Sequence, residues 1–194
     1  MARSKEFDPD AVLQSALELF WRRGYEATSM ADLVAHLGIG RASIYATYGN
    51  KRDLYLKALD RYGEGQNPQL VRELSQPGPA LPAVRALVRR FAAEASDDAC
   101  RTSGCFVTNT AAELAPHDPA AARRVELGWE HLETLLHSTL VRAQGQGELP
   151  AERDPRALAR MLLVLMQGLR VVGKASSDPA RVRDAAEQAL QILN

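Results

Sequence analysis

Apolar residues recur along this chain at intervals of three and four, and no segment alternates convincingly with the period of two of a half-buried strand. The first stripe is Val12, Leu13, Ala16, Leu17, Leu19 and Phe20. Asp8 followed by Pro9 predicts its start, because proline's missing N–H would have no partner in a first helical turn. Gly24 predicts its end. A second stripe, Met30, Leu33, Val34 and Leu37, follows Thr28 and Ser29, either of which can supply a capping hydroxyl, and Gly38 closes it. After Gly38-Ile39-Gly40 a short helix from Arg41 passes Ile44 and Tyr48. Gly49-Asn50 ends that helix, and a fourth starts at Lys51 with Leu54, Leu56 and Leu59 inside.

Gly63-Glu-Gly-Gln-Asn-Pro68 interrupts the pattern and predicts a boundary between residues 5–65 and residues 66–194. A short helical piece, Gln69 to Leu74, follows it. Ser75-Gln-Pro-Gly-Pro-Ala80 reads as a loop, and Pro82 opens a helix to about Ala95. Further helices are predicted at about Ser103–Leu114, Pro119–Gln144, Pro155–Ser176 and Pro179–Leu193, the last three each introduced by an Asp-Pro pair. The fold class is all-α, with three N-terminal helices ahead of a larger helical domain.

With 24 basic and 24 acidic side chains, the overall charge balance gives no argument for a nucleic-acid partner. The first 65 residues are equally balanced, nine against nine. Local arrangement differs: Leu33 to Arg52 holds His36, Arg41, Lys51 and Arg52 and no acid, so a phosphate backbone could lie there. The N-terminus lacks a signal-type apolar region, and the longest apolar run, Met161 to Met166, is too short for a membrane span. A cytoplasmic protein without membrane partners is expected. Two cysteines, Cys100 and Cys105, do not make a disulfide framework. His131 and His137, six apart, do not share a helical face, so no metal site or other cofactor is expected. No catalytic triad order, phosphate-cradling glycine loop or dinucleotide fingerprint occurs, and an enzyme is not expected.

Two short helices joined by a glycine turn are the geometry of a helix-turn-helix, here about residues 28–48. Leu33, Val34, Leu37, Ile39, Ile44 and Tyr48 would lock it from inside, leaving Ala42, Ser43, Ala46 and Thr47 outward. Small outward side chains let a helix lie deep in a major groove. Arg41 at the helix start can reach a guanine edge or a phosphate, while Thr28, Ser29, Tyr45 and Lys51 can position the backbone. A helix, glycine turn and helix also occur in all-α proteins that bind no DNA, and Tyr48, one turn from Ile44, reads as a core aromatic.

The segment resembles the tetracycline-repressor (TetR/AcrR) family. The resemblance lies in Ala16-Leu-Glu-Leu-Phe20, Gly24-Tyr-Glu-Ala-Thr-Ser29, Leu37-Gly-Ile-Gly-Arg-Ala-Ser-Ile-Tyr45 and Tyr48-Gly-Asn-Lys-Arg-Asp-Leu54, about the first 60 residues. It implies a homodimeric regulator of transcription that binds double-stranded operator DNA, more commonly as a repressor, and is released by a small-molecule effector. Two departures stand out. Gly40 replaces the capping hydroxyl usual at the start of the reading helix, and Ala46-Thr47 stand where the family often has His or Tyr, so base preference should differ.

Beyond residue 65 the resemblance weakens, although Gly104 to Pro119 is similar to a segment in part of the family. An effector pocket is expected among the middle helices, from Phe91, Cys105, Phe106, Asn109, Glu113, Trp129, Leu132, Leu136, Met161 and Leu165, any of which could equally be plain core. Cys105 at a helix start could be an oxidant sensor, or a packing residue. Two stripes predict a four-helix dimer interface: Leu158, Leu162, Leu165, Leu169 and Val172, and Val182, Ala186, Ala189 and Leu193. Monomer core is the competing reading for the same stripes.

Overall fold

The computed structural model describes residues 7–98 and 102–194. Among the described residues the elements are helical: α1 Pro9–Arg23, α2 Met30–Leu37, α3 Arg41–Tyr48, α4 Lys51–Leu74, α5 Ala80–Ser96, α6 Phe106–Glu113, α7 Pro119–Gly145, α8 Pro155–Ala175 and α9 Ala180–Gln191. Local chemistry sets many of the ends. The Asp8, Asp118 and Asp154 carboxylates each accept backbone N–H groups of the helix they start, with proline at its first position. Ser29 and Asn50 form capping boxes with Asp32 and Asp53.

The predicted break at 63–68 does not end a helix, because α4 runs unbroken through it to Leu74. Pro68 costs one internal hydrogen bond. Tertiary packing offsets that cost: Tyr62, Gln66, Leu70 and Leu74 follow one another at four-residue steps, all at least partly buried. The polar residues there interrupt the apolar stripe without turning the chain. The helix predicted from Ser103 instead starts at Phe106, since Gly104 has φ +64°, outside the right-handed helical region. The helix expected from Pro82 starts at Ala80, where the Ala80 and Leu81 N–H groups donate to Gln146 Oε1 (3.1 Å) and Glu148 Oε2 (2.6 Å) beyond the end of α7.

Two apolar cores sit along α4. One joins α1, α2, α3 and the first half of α4 to Cys105, Phe106, Leu114 and Ala121. The other joins Leu74, α5, the later part of α7, α8 and α9. The second core corrects the expected dimer stripes. Leu158, Leu162, Leu169, Val182, Ala186 and Leu193 are buried within the protomer, because α9 and α8 both pack on α5. Leu165 is partly covered by the same core and Ala189 is half-buried. Val172 alone of the set is substantially exposed, at 43%. The open apolar positions of α8 lie round the helix, at Val164 (70% exposed), Val171 and Val172, with Val141 on α7. Among the described residues no helix is long and apolar enough to cross a membrane, and no group of three metal-ligating side chains is assembled.

Candidate nucleic-acid interface and ligand cavity

Ser29 at the start of α2 and Arg41 to Tyr48 in α3 build the first site. Gly38, at φ +66°, turns the chain after α2, its N–H donating to the Val34 carbonyl. Leu33, Ile44 and Tyr48 fill the angle between the helices, and the Tyr48 hydroxyl donates to the Pro9 carbonyl at 2.7 Å. With that face fixed inward, Arg41, Ala42, Tyr45 and Ala46 are exposed, while Ser43 and Thr47 are half-covered. The Arg41 guanidinium lies 6.0 Å from the Tyr45 ring centre, and the Lys51 ammonium 4.1 Å from that of Tyr25. The result is a narrow outward ridge of small side chains with cations at its edges. Gly40 caps α3 without a side-chain bond.

One residue leaves the expected phosphate-facing set, and one cation of the acid-free window is engaged elsewhere. Thr28 is fully buried and its hydroxyl donates to the Gly24 carbonyl at 2.7 Å, so it shapes the turn. Arg52, part of the acid-free window, forms a bidentate pair with Asp118, with Nη2 2.9 Å from Oδ1 and Nε closer still to Oδ2. That guanidinium, helped by the Ala120 and Ala121 N–H groups and opposed by burial, holds the Asp118 carboxyl well below the usual range, at about 2.

The second site is a cavity of about 400 Å³ between α4, α5, α7 and α8. Of the expected pocket residues, Phe91, Cys105, Trp129 and Leu132 line it. The others do not. Phe106 is enclosed by Tyr55 and Tyr62, with ring centres 5.0 and 5.8 Å away. Leu136 is wholly buried, and Met161 and Leu165 pack on the C-terminal core. Asn109 donates to the Ser103 carbonyl and accepts from Lys174. The Glu113 carboxylate accepts the Tyr25 N–H (3.0 Å) and the Glu26 N–H (2.9 Å), fastening α6 to the turn between α1 and α2.

Sequence reasoning missed Tyr62, Gln66, Asn67, Gln167 and Arg170 in the cavity wall. The polar insertion on α4 was the available signal for two of them. Cys105 sits at the inner end with its Sγ 2.9 Å from Arg170 Nη1 and 3.7 Å from the Tyr62 hydroxyl. Burial pushes its thiol up, and the Arg170 charge with hydrogen bonds from Thr108 and Tyr62 outweighs burial, leaving it below the ordinary thiol value. Cys100 lies outside the described residues.

Cavity and reading helices are mechanically joined. Tyr62 packs edge-on against Trp21, whose indole N–H donates to the Gly104 carbonyl at 3.0 Å, next to Cys105. Tyr55 meets Phe20, Tyr25 and Phe106 edge-on. Because the Thr110 hydroxyl donates to the Phe106 carbonyl, Tyr55 donates to Thr110, at 2.9 Å. Asp60 and Arg124 add a second bidentate pair between α4 and α7, at 2.7 and 3.0 Å.

Comparison with known proteins agrees with this layout. Residues 12–58 match the family described as bacterial regulatory proteins, tetR family, and residues 80–189 match the tetracyclin repressor-like C-terminal domain. The chain is 41% identical, over the whole of both proteins, to the HTH-type transcriptional regulator YezE of Bacillus subtilis (strain 168). It is 32% identical to the HTH-type transcriptional repressor ComR of Escherichia coli (strain K12), across 98% of this chain and 90% of ComR. Among solved structures, a cysteine mutant of the TetR family regulator CifR, complexed with 26-bp double-strand operator DNA, superposes with a TM-score of 0.86 at 28% identity over the whole of both chains.

Proposed function

The chain belongs to the TetR family of bacterial transcriptional regulators, and on that premise we propose that it is a homodimeric repressor that leaves a near-palindromic operator when a small molecule fills the cavity. The observation that carries the DNA-reading part is the outward ridge of α3: Ala42 and Ala46 allow close approach, and Arg41 and Tyr45 flank them. Arg41, Ser43 and Thr47 would read bases. Ser29, Tyr45 and Lys51 would hold phosphates. ComR is a repressor by name, and CifR is seen on operator DNA, which supports carrying both properties to this chain.

Dimerisation would use the open faces of α7 and α8, with Val164, Val171, Val172 and Val141 meeting their copies in a four-helix bundle. The two reading helices would then fall roughly 34–36 Å apart, one DNA turn. Release follows from the shared walls. The cavity touches α4 and α7, which are tied by Arg52–Asp118 and Asp60–Arg124, and α4 starts two residues after the reading helix ends. A ligand preferring another α4 tilt by about 1–3 kcal/mol would lower operator affinity about 5- to 150-fold.

Selection of duplexes from a random-sequence pool by the purified full chain tests this reading. An inverted repeat with half-site centres about 10 bp apart is expected. Recovery of no common sequence, or of a single unrepeated half-site, contradicts it.

A further inference from the structure

Three arginines line the cavity, and they differ in one respect. Arg124 is neutralised by Asp60, and Arg90 by Glu73 (2.9 Å) and Glu94 (2.5 Å). Among the described residues no carboxylate stands within ion-pair distance of Arg170. Its Nη1 donates to the Cys105 Sγ at 2.9 Å, and its guanidinium carbon sits 4.0 Å from the centre of the Phe91 ring. A π face attracts a cation without neutralising it. Arginine cannot shed its proton to escape a half-buried position, so the cost of desolvating it stands until an anion arrives. Glu64, the other lining carboxylate besides Asp60, belongs to an exposed residue of α4.

The remaining wall says what the anion is attached to. Phe91, Val107, Trp129 and Leu132 supply apolar surface. One helical turn before Arg170, the Gln167 side-chain carbonyl already accepts from Thr108 at 2.7 Å, leaving its amide N–H groups as further donors. A planar guanidinium fork with four N–H groups not committed to Sγ matches a carboxylate better than a neutral polar group. Resting on the reading of this cavity as the effector site, we propose that it selects an amphipathic organic carboxylate, the acid group on Arg170 and the apolar body along Phe91, Trp129 and Leu132.

Calorimetric titration of the full chain with aryl- and alkyl-carboxylates of six to twelve carbons, each paired with its primary amide, tests the proposal. At least one acid is expected to bind tenfold or more tighter than its amide, and Arg170→Gln to remove that preference. Arg170→Lys should restore part of it, because the charge returns without the fork. Equal binding of every acid and amide by the wild type, or no binding by any acid, overturns the proposal even if the Arg170 variants fail to fold. The operator-affinity readout is separate. An acid that binds through Arg170 and leaves DNA affinity unchanged refutes the effector reading alone, whereas an amide that releases DNA as well as its acid refutes charge selection alone.

Discussion

Replacing Glu113 by Gln should loosen the reading head without touching either a DNA-facing or a cavity-lining residue. The carboxylate accepts two backbone N–H groups, from Tyr25 at 3.0 Å and Glu26 at 2.9 Å. It also lies where a Cβ on Gly24, at φ +88°, would come within 2.9 Å of both its oxygens, so turn and fastener are fitted to each other. Glutamine keeps one acceptor and turns an amide NH₂ toward the other donor, so one N–H loses its partner and the surviving bond loses its charge. Hydrogen bonds to charged groups contribute about 1.5–3 kcal/mol each. The site is partly solvated, so the expected loss is about 2 kcal/mol, a fall in Tm of about 4–8 °C for a chain of this size. Thermal melts followed by far-UV circular dichroism, with operator affinity measured in parallel, would read it. Operator affinity should weaken in the same variant, because the turn that sets the angle between α1 and α2 is no longer held. A melt within 1 °C of the wild type, with unchanged DNA affinity, would refute the fastening role.

The Arg52–Asp118 pair makes a pH prediction. A carboxylate held at about 2, below its ordinary value near 4, gives stability that is complete above about pH 4 and is lost as pH falls from about 4 toward 2. Asn keeps the helix cap that Asp118 supplies, so Asp118→Asn should cost about 1–2 kcal/mol at pH 7, allowing for the half-exposed Arg52, and the gap should close across that window. A gap independent of pH would place the effect elsewhere. On the DNA side, Thr47→Ala should alter relative affinity among operator variants, while Lys51→Ala should weaken all of them alike and reduce the salt slope by about two, one for each protomer; equal effects from both would mean the roles are misassigned. For the dimer, Val164→Glu should raise the dissociation constant at least tenfold in sedimentation equilibrium while leaving helix content unchanged, because it sets two unpaired charges against each other across a two-fold axis. An unaltered dimer would move the interface off this face.

The short N-terminal helices were legible because their ends are written locally, as Asp8-Pro9, Ser29 and Gly24 or Gly38, and each acts within a few residues. The long helices were less so. Residues Met161 to Met166 are apolar all round, so periodicity marks faces on α8 without saying which of them α5 covers and which stays open. Only the packing of α8 on α5 and α7 turns Leu158, Leu162 and Leu169 inward and leaves Val164 and Val171 outward. Gly63, Gly65 and Pro68 read as a break because helix propensity is local, whereas the burial of Tyr62, Leu70 and Leu74 that overrides it is tertiary. The cavity was half-found for a related reason. Phe91, Trp129 and Leu132 are apolar and central, but Arg170 gains its meaning from Cys105 and Phe91, 65 and 79 positions away in the chain. Glu113 was misread as a pocket residue since its partners lie 88 and 87 positions earlier.

Recognition of duplex DNA through the outward ridge of α3 and the cations beside it can be read from operator affinity as a function of salt. Counterions leave the phosphates when cations replace them, so log affinity should fall linearly with log salt. A dimer contacting about eight phosphates should give a slope of about −7 and lose roughly four orders of magnitude between 50 and 200 mM. The fall should be shallower in Lys51→Ala. A slope near zero, or one that Lys51→Ala leaves unchanged, would rule out phosphate contact by these cations.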